Sequence, residues 1–411
     1  MSVHQTIGNT VRESYGRLVS YLAVQWRDLE SAQDALSDAL LSALESWPRT
    51  GIPNHPEAWL LNVARRKLID AARRNRVFAK ALPELLDFSD MAGRMASADQ
   101  PFPDERLTMM FICSHPEIEP SIRTPLMLQT VLGIDAGRIA SAFVVKPSTM
   151  GQRLSRAKAR IRAERLTFAM PDAEQLPDRL NSVLEAIYAA YGSGWDHLVA
   201  DDSRRSGLAE EAIYMGRLVC TRMHDEPEAL GLLSFMLHCE ARREARRDEA
   251  GNYVPLSEQE PSRWSVPMIV EAEHYLHKAS QLGRMGRFQL LAAIQSVHAG
   301  RARNGRTEWE EIALLYEGLA RLSPAVGILV GQAAAIAEAY GADAGLDRLE
   351  AIPHAKIVNY QPYWALAAHL YQRLHRIEDA IRAYSQAIGL CDDESVRQFL
   401  IQRSREISQS S

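Results

Sequence analysis

Residues 135–165 read DAGRIASAFVVKPSTMGQRLSRAKARIRAER, and few folds accommodate that stretch. Lys146-Pro147-Ser148 separates two helical patterns, because proline suits the first turn of a helix and disfavours helix in the residue before it. Ile139, Ala142 and Phe143 repeat at helical spacing ahead of the break, and Leu154, Ala157 and Ile161 do so after it. The remaining positions are basic: from 138 to 165 there are eight Lys/Arg and one acid, Glu164. A short helix, a tight break and a longer basic helix form the pattern of a helix-turn-helix, whose second helix enters the DNA major groove. In that arrangement Ser148, Thr149, Gln152 and Arg153 occupy the first turns and face base edges. Arg156, Lys158 and Arg160 lie further along, where phosphates are within reach. Taken alone, the pattern also describes a surface helix with a solvated basic face.

A second basic helix upstream decides between these readings. Residues 57–76 carry an apolar stripe of Ala58, Leu60, Leu61, Val63, Ala64, Leu68, Ile69 and Ala72. Between 60 and 80 lie seven Lys/Arg, opposed only by Asp70. Residues 31–47, SAQDALSDALLSALESW, predict another amphipathic helix, with Asp34 and Asp38 one turn apart on its polar side. The two are joined by PRTGIPNHP at 48–56, which proline and glycine keep from being helical throughout.

In this order, an acidic-faced helix, a loop, a basic helix and a basic helix-turn-helix, the chain resembles the extracytoplasmic-function (ECF) sigma factors, promoter-specificity subunits of bacterial RNA polymerase. It is more specifically similar to the subgroup with a long helical C-terminal extension, through DERLTMMFICSHP (104–116), DEPEALGLLSFMLHCEARREAR (225–246) and LGRMGRFQLLAAIQSVHA (282–299). The resemblance implies core RNA polymerase and promoter DNA as partners. Asp34, Asp38 and Leu41 would contact the polymerase. Asn54, His55, Asn62, Arg65, Arg66, Arg73 and Arg74 would read the −10 element, with the 48–56 loop as part of a pocket for an unpaired base. The helix-turn-helix residues would read the −35 element. A one-component regulator, with a repeat-type sensor controlling an ordinary helix-turn-helix, is the competing reading. It needs neither the acidic-faced helix nor the −10-type helix.

Composition predicts an all-α chain of several domains: 10–76, a linker at 77–103, 104–168, and an extension at 178–407. Residues 1–165 hold 22 Lys/Arg against 18 Asp/Glu, whereas 166–411 hold 25 against 34. Nucleic acid is therefore expected on the first part and something else on the acidic second part; in the sigma-factor reading the extension regulates the protein in cis, with a regulatory protein or ligand as its partner. Within the extension, Trp364, Ala368 and Tyr371 followed by Ala380, Tyr384 and Ala387 match the tetratricopeptide order of aromatic and small residues. The polar stretch 246–264 suits a loop with a short hairpin.

Cys113, His115, Cys220, His224, His238 and Cys239 invite a zinc reading, but apolar neighbours such as Leu218, Val219, Met236 and Leu237 place the thiols in buried helices. No metal, cofactor or catalytic residue is expected, and no phosphate-loop, dinucleotide or hydrolase motif occurs. The start of the chain lacks a signal-peptide pattern, and the apolar window 325–342 is too short to span a bilayer, so a cytoplasmic protein without a membrane partner is expected. The stretch 189–198, AAYGSGWDHL, departs from the subgroup's Asn-Glu-Gly-Tyr segment; Tyr188, Tyr191 and Trp195 read as core in preference to the lining of a pocket.

Overall fold

A computed structural model describes residues 3–74, 102–143, 145–195 and 203–409. Among these residues the chain is all-α, as its periodicity predicts, with no named strand. It divides into two compact units, residues 1–190 and 191–411.

The first unit begins with three mutually packed helices: α1 (Val3–Trp26), α2 (Leu29–Thr50) and α3 (Pro56–Arg74). Helix α2 starts where Asp28 caps it, its carboxylate accepting from the Glu30 and Ser31 amides at 3.1 and 3.3 Å. Its buried stripe is Leu29, Ala32, Ala35, Leu36, Ala39, Ala43 and Trp47, small enough in its middle for neighbouring helices to approach closely. Gly51, at φ 83°, ends it. The helix thus takes in the first three residues of the 48–56 segment, and Pro56 opens α3. Trp47 meets Trp59 edge to face at 5.4 Å, fixing the angle of the α2–α3 corner. Such a pair adds about 0.5–1.5 kcal/mol to the burial of its rings.

Four helices follow: α4 (Arg106–Cys113), α5 (Pro120–Leu132), α6 (Ala136–Ala142) and α7 (Pro147–Ala163). Leu107, Met109, Met110, Phe111, Ile112 and Cys113 make α4 the buried centre of this group. Pro147 is the first residue of α7 and the preceding Lys146 is extended, which is the break expected from the sequence. Met150, Leu154, Ala157 and Ile161 are buried beneath α7; Ile139 is buried on α6, and Phe143 is half-buried. Ala142's side chain lies outside the described residues.

Helix α1 packs on α4 and α5 as well as on α2 and α3. At Gly16 the two backbones nearly touch: a Cβ there would lie 1.7 Å from the Val131 carbonyl oxygen. The Arg17 guanidinium stacks 3.9 Å from the Phe102 ring centroid and donates to the Phe102 carbonyl at 3.0 Å. Most of the 77–103 linker lies outside the described residues, but its far end is tied down at Phe102.

Helix α8 (Leu176–Trp195) opens the extension, and the buried guanidinium of Arg179 donates to the Phe111 carbonyl. In the second unit α9 (Ser203–Arg222), α10 (Pro227–Glu240), α11 (Val266–Gln281), α12 (Arg287–Asn304), α13 (Trp309–Leu322), α14 (Val326–Tyr340), α15 (Ala342–Glu350), α16 (Gln361–Arg373), α17 (Ile377–Gly389) and α18 (Glu394–Gln409) pack mainly on their neighbours in sequence. The 246–264 stretch contains one isolated bridge, Arg247 with Tyr253, rather than a hairpin ladder, and two short 3₁₀ turns. Helices α16 and α17 meet through Ala368, Ala380, Ala387 and Tyr384, all buried, while Trp364 and Tyr371 are partly buried. The Tyr371 hydroxyl donates to Glu350 at 3.0 Å. Tyr191 is core, its hydroxyl donating to the Met236 carbonyl at 3.2 Å; the Trp195 side chain lies outside the described residues.

Glu228 on α10 caps a distant helix. Its carboxylate accepts from the Phe288 and Gln289 amides at the start of α12, at 2.9 and 3.1 Å. Gly286 makes room for it, since a Cβ there would lie 2.3 Å from the Glu228 carboxyl carbon. Two otherwise orphaned amides gain an anionic partner.

Candidate nucleic-acid interface

On α2 the polar face carries Asp34, Asp38 and Leu41, all exposed. Leu41 is 59% exposed, so it contributes little to the core of its own domain and is available to a partner. Leu44 (38% exposed) extends the same stripe one turn further and was missed in the sequence, although its i+3 spacing from Leu41 was there to find. The Lys67 ammonium sits 3.6 Å from the Asp38 carboxylate, both half-exposed, a pair worth about 0–1 kcal/mol. That cost is small enough for a basic partner to displace Lys67.

Helix α3 sorts its basic residues. Arg66 and Arg73 are exposed, Asn62 is half-buried, and Asn54 and His55 lie exposed on the loop before it. Arg74's side chain is outside the described residues. Arg65 turns inward instead, beside the Tyr21 ring of α1, and burial pulls its pKa below the usual arginine value, with Tyr21 opposing. The half-burial follows from its position next to the buried Ala64 and Leu68 stripe.

On α7, Ser148, Gln152, Arg153 and Arg156 are exposed and Thr149 is half-buried, so the first turns present a polar edge to solvent. The end of the helix differs. Lys158 donates to the Gln33 side-chain oxygen on α2 at 2.7 Å. Burial lowers its pKa, opposed by the nearby Glu30 and Asp34 carboxylates. Arg160 pairs with Glu117 at 2.9 Å and with Glu164 at 3.2 Å. Arg162 reaches Asp28 at 3.2 Å and Glu30 at 2.5 Å. Lys158 and Arg160, expected at phosphates, are thus engaged within the protein in this arrangement. Contacts between residues 125 and 134 positions apart leave no periodic signature in the sequence.

The thiols carry no site chemistry. All four cysteines are buried, and burial pushes the Cys113 and Cys220 thiols up to about 12. Helix α9 stops at Arg222, so Cys220 and His224 do not share a helix face, and His224 pairs with Asp225 at 3.0 Å. Among the described residues no helix is long and apolar enough to cross a membrane.

Residues 11–77, from within α1 through the end of α3, match the sigma-70 region 2 family, and residues 179–280 match a family of unknown function, DUF6596. Over 389 residues the chain is 35% identical to an uncharacterized protein of Rhizobium meliloti (strain 1021), covering 93% of this chain and 90% of that one. No solved structure matches. The chain belongs to one family with that protein, and is a sigma-70-family factor carrying a C-terminal helical extension. Sigma-70 region 2 supports interaction with core RNA polymerase and promoter DNA in transcription initiation, a role that is not catalytic.

Proposed function

We propose that this chain is a sigma factor of the ECF type that binds core RNA polymerase through α2 and reads two promoter elements. One observation carries the reading: the exposed acidic edge of Asp34 and Asp38 with Leu41 stands beside the exposed basic edge of α3, in the segment that matches sigma-70 region 2. A one-component regulator has no use for that pairing.

In this mechanism Asp34 and Asp38 meet basic side chains of the polymerase while Leu41 and Leu44 bury apolar surface against it. Arg66, Arg73 and Arg74 follow the phosphates of the −10 region, and Asn54, His55 and Asn62 contribute polar groups to capture an unstacked base. Arg65 supports this face from behind. Helix α7 acts as the second helix of a helix-turn-helix at the −35 element, with Ser148, Thr149, Gln152 and Arg153 at base edges and Arg156 at phosphate. Lys158 and Arg160 join it once freed from their internal partners. The extension, with α16 and α17 as a tetratricopeptide-like pair, regulates this cytoplasmic machinery in cis. Reconstitution with purified core polymerase tests the reading. The protein should form a stable holoenzyme, and charge reversal at Asp34 and Asp38 should abolish it. Equal core affinity of wild type and double variant would remove the assignment of α2.

A further inference from the structure

The second unit buries a cation that no carboxylate neutralises among the described residues. Arg242 lies just past the end of α10 and is 6% exposed. Its Nη2 donates to the Gln295 side-chain oxygen on α12 and sits 3.8 Å from the Cys239 sulfur. Its Nη1 has no hydrogen-bond partner among the described residues. The nearby acids are otherwise placed: Glu240 is held by Arg243 at 2.7 Å, Glu244 is exposed, and Glu273 accepts from the Ser296 hydroxyl at 2.6 Å. A buried charge left without a counter-charge is strongly destabilising.

Other unmet polar groups surround it. His238, one turn before Arg242, is 1% exposed, and neither ring nitrogen is hydrogen-bonded; the Glu273 carboxylate stands 3.6 Å from Nε2. The Arg242 charge reaches both His238 and His298 of α12. Burial first and that charge second lower both rings to about 3, with Arg301 adding to the effect on His298, so both are neutral at pH 7. The Arg301 guanidinium itself is occupied by the Ser257 and Gln259 carbonyls and lies 5.1 Å from the Trp264 ring centroid. The Trp264 Nε1 and Gln259 Oε1 atoms are buried and unpaired as well.

Water can meet hydrogen bonds of this kind, but it leaves the Arg242 charge uncompensated. One negative charge removes that deficit. A carboxylate matches the planar guanidinium, and a neutral imidazole beside it adds a donor without adding charge. Gln295 and His298 are half-buried, so the group lies close beneath the surface and a small anion has a short way in.

We propose that Arg242, with His238, Gln295 and His298 around it, is a binding site for the carboxylate of a small organic acid within the extension. Gln295 positions the guanidinium through Nη2, while Nη1 and an imidazole N–H hold the carboxylate. The site selects a monoanion, because one buried charge awaits neutralisation. The inference concerns the second unit alone and stands apart from the sigma-factor reading of the first.

Titration calorimetry of the full-length chain with acetate and propionate, at constant ionic strength against chloride, tests it. Saturable binding with a Kd of about 1 mM or tighter is expected, with a rise in the melting midpoint. Arg242→Met should weaken binding at least about thirtyfold, the loss expected when one partner of a buried charge pair is removed. Gln295→Glu supplies a carboxylate from within. It should raise the melting midpoint without ligand and abolish the acetate response, and it keeps the site testable if Arg242→Met does not fold. Absence of saturation with either acid, an unchanged affinity in Gln295→Glu, or saturable binding of inorganic phosphate but of neither acid overturns the assignment.

Discussion

The Lys158 ammonium donates to the Gln33 side chain at 2.7 Å, joining the basic end of α7 to the first turns of α2. Two surfaces assigned to different partners, DNA and polymerase, are thus in contact within one unit. The basic residues of α7 consequently divide into a free set, Arg153 and Arg156, and a held set, Lys158, Arg160 and Arg162.

That division predicts different mutant behaviour along one helix. Arg153→Ala should cost about 1–3 kcal/mol at the cognate −35 duplex and much less on random duplex, because a base-edge contact is lost. Arg156→Ala should weaken both about equally and reduce the salt slope by about 1. Fluorescence anisotropy across a salt series measures both; equal loss for Arg153→Ala would make it a phosphate contact.

Reversal at Asp34 and Asp38 should leave the fold in place. Both side chains are exposed; reversal breaks the Asp38–Lys67 pair, a loss of about 0–1 kcal/mol, and removes the attraction of the Asp34 carboxylate for Lys158. Circular dichroism should show unchanged helix content, with the midpoint lowered by no more than a few degrees, while core affinity falls by more than about tenfold, the effect of losing about 1.4 kcal/mol.

Glu228→Ala should destabilise the second unit by about 1–2 kcal/mol, since two amides at the start of α12 lose their acceptor. Faster hydrogen exchange at Phe288 and Gln289, ahead of the rest of α12, is the expected signature. Gly286→Ala should act similarly by displacing the same carboxylate.

Acid should weaken the second unit before it affects most carboxylates. Burial, with Arg242 adding to it, lowers the His238 pKa to about 3; burial, then Arg242 and Arg301, do the same for His298. Unfolded histidine titrates near about 6.5. Between those values the unfolded chain binds more protons, so the stability is complete above pH ~6.5 and falls as pH drops toward 3, by about 1 kcal/mol per unit for each ring. Melting curves at pH 7.5 and 5.0 should differ clearly, and His298→Phe should reduce the difference.

Much of this was legible in the sequence because it is local. The Lys-Pro-Ser break, the apolar stripes at 57–76 and 31–47, and the small-and-aromatic order of 364–387 each act within a few turns of one helix. Met150, at i−4 from Leu154, was a core position the same spacing could have yielded. What was hidden is long-range. Nothing near Lys158 announces Gln33, nothing near Gly286 announces Glu228, and Gly16 shows its purpose only against Val131. Arg65 and Arg66 are adjacent and chemically identical, and only the direction of each side chain relative to α1 separates them.

The extension begins later in space than in composition. Because Arg179 is buried on the Phe111 carbonyl, the first turns of α8 belong to the first unit. A truncation after residue 170 should therefore lower the stability of that unit, and one after residue 195 should spare it; limited proteolysis of the two truncations compares them.

Run-off transcription with purified core polymerase, this protein and no other sigma factor tests the central claim most directly. A transcript of defined start on a cognate promoter template, lost with the Asp34/Asp38 reversal, is the predicted result. Specific DNA binding without any transcript, under conditions where the housekeeping sigma factor is active on its own promoter, would contradict it.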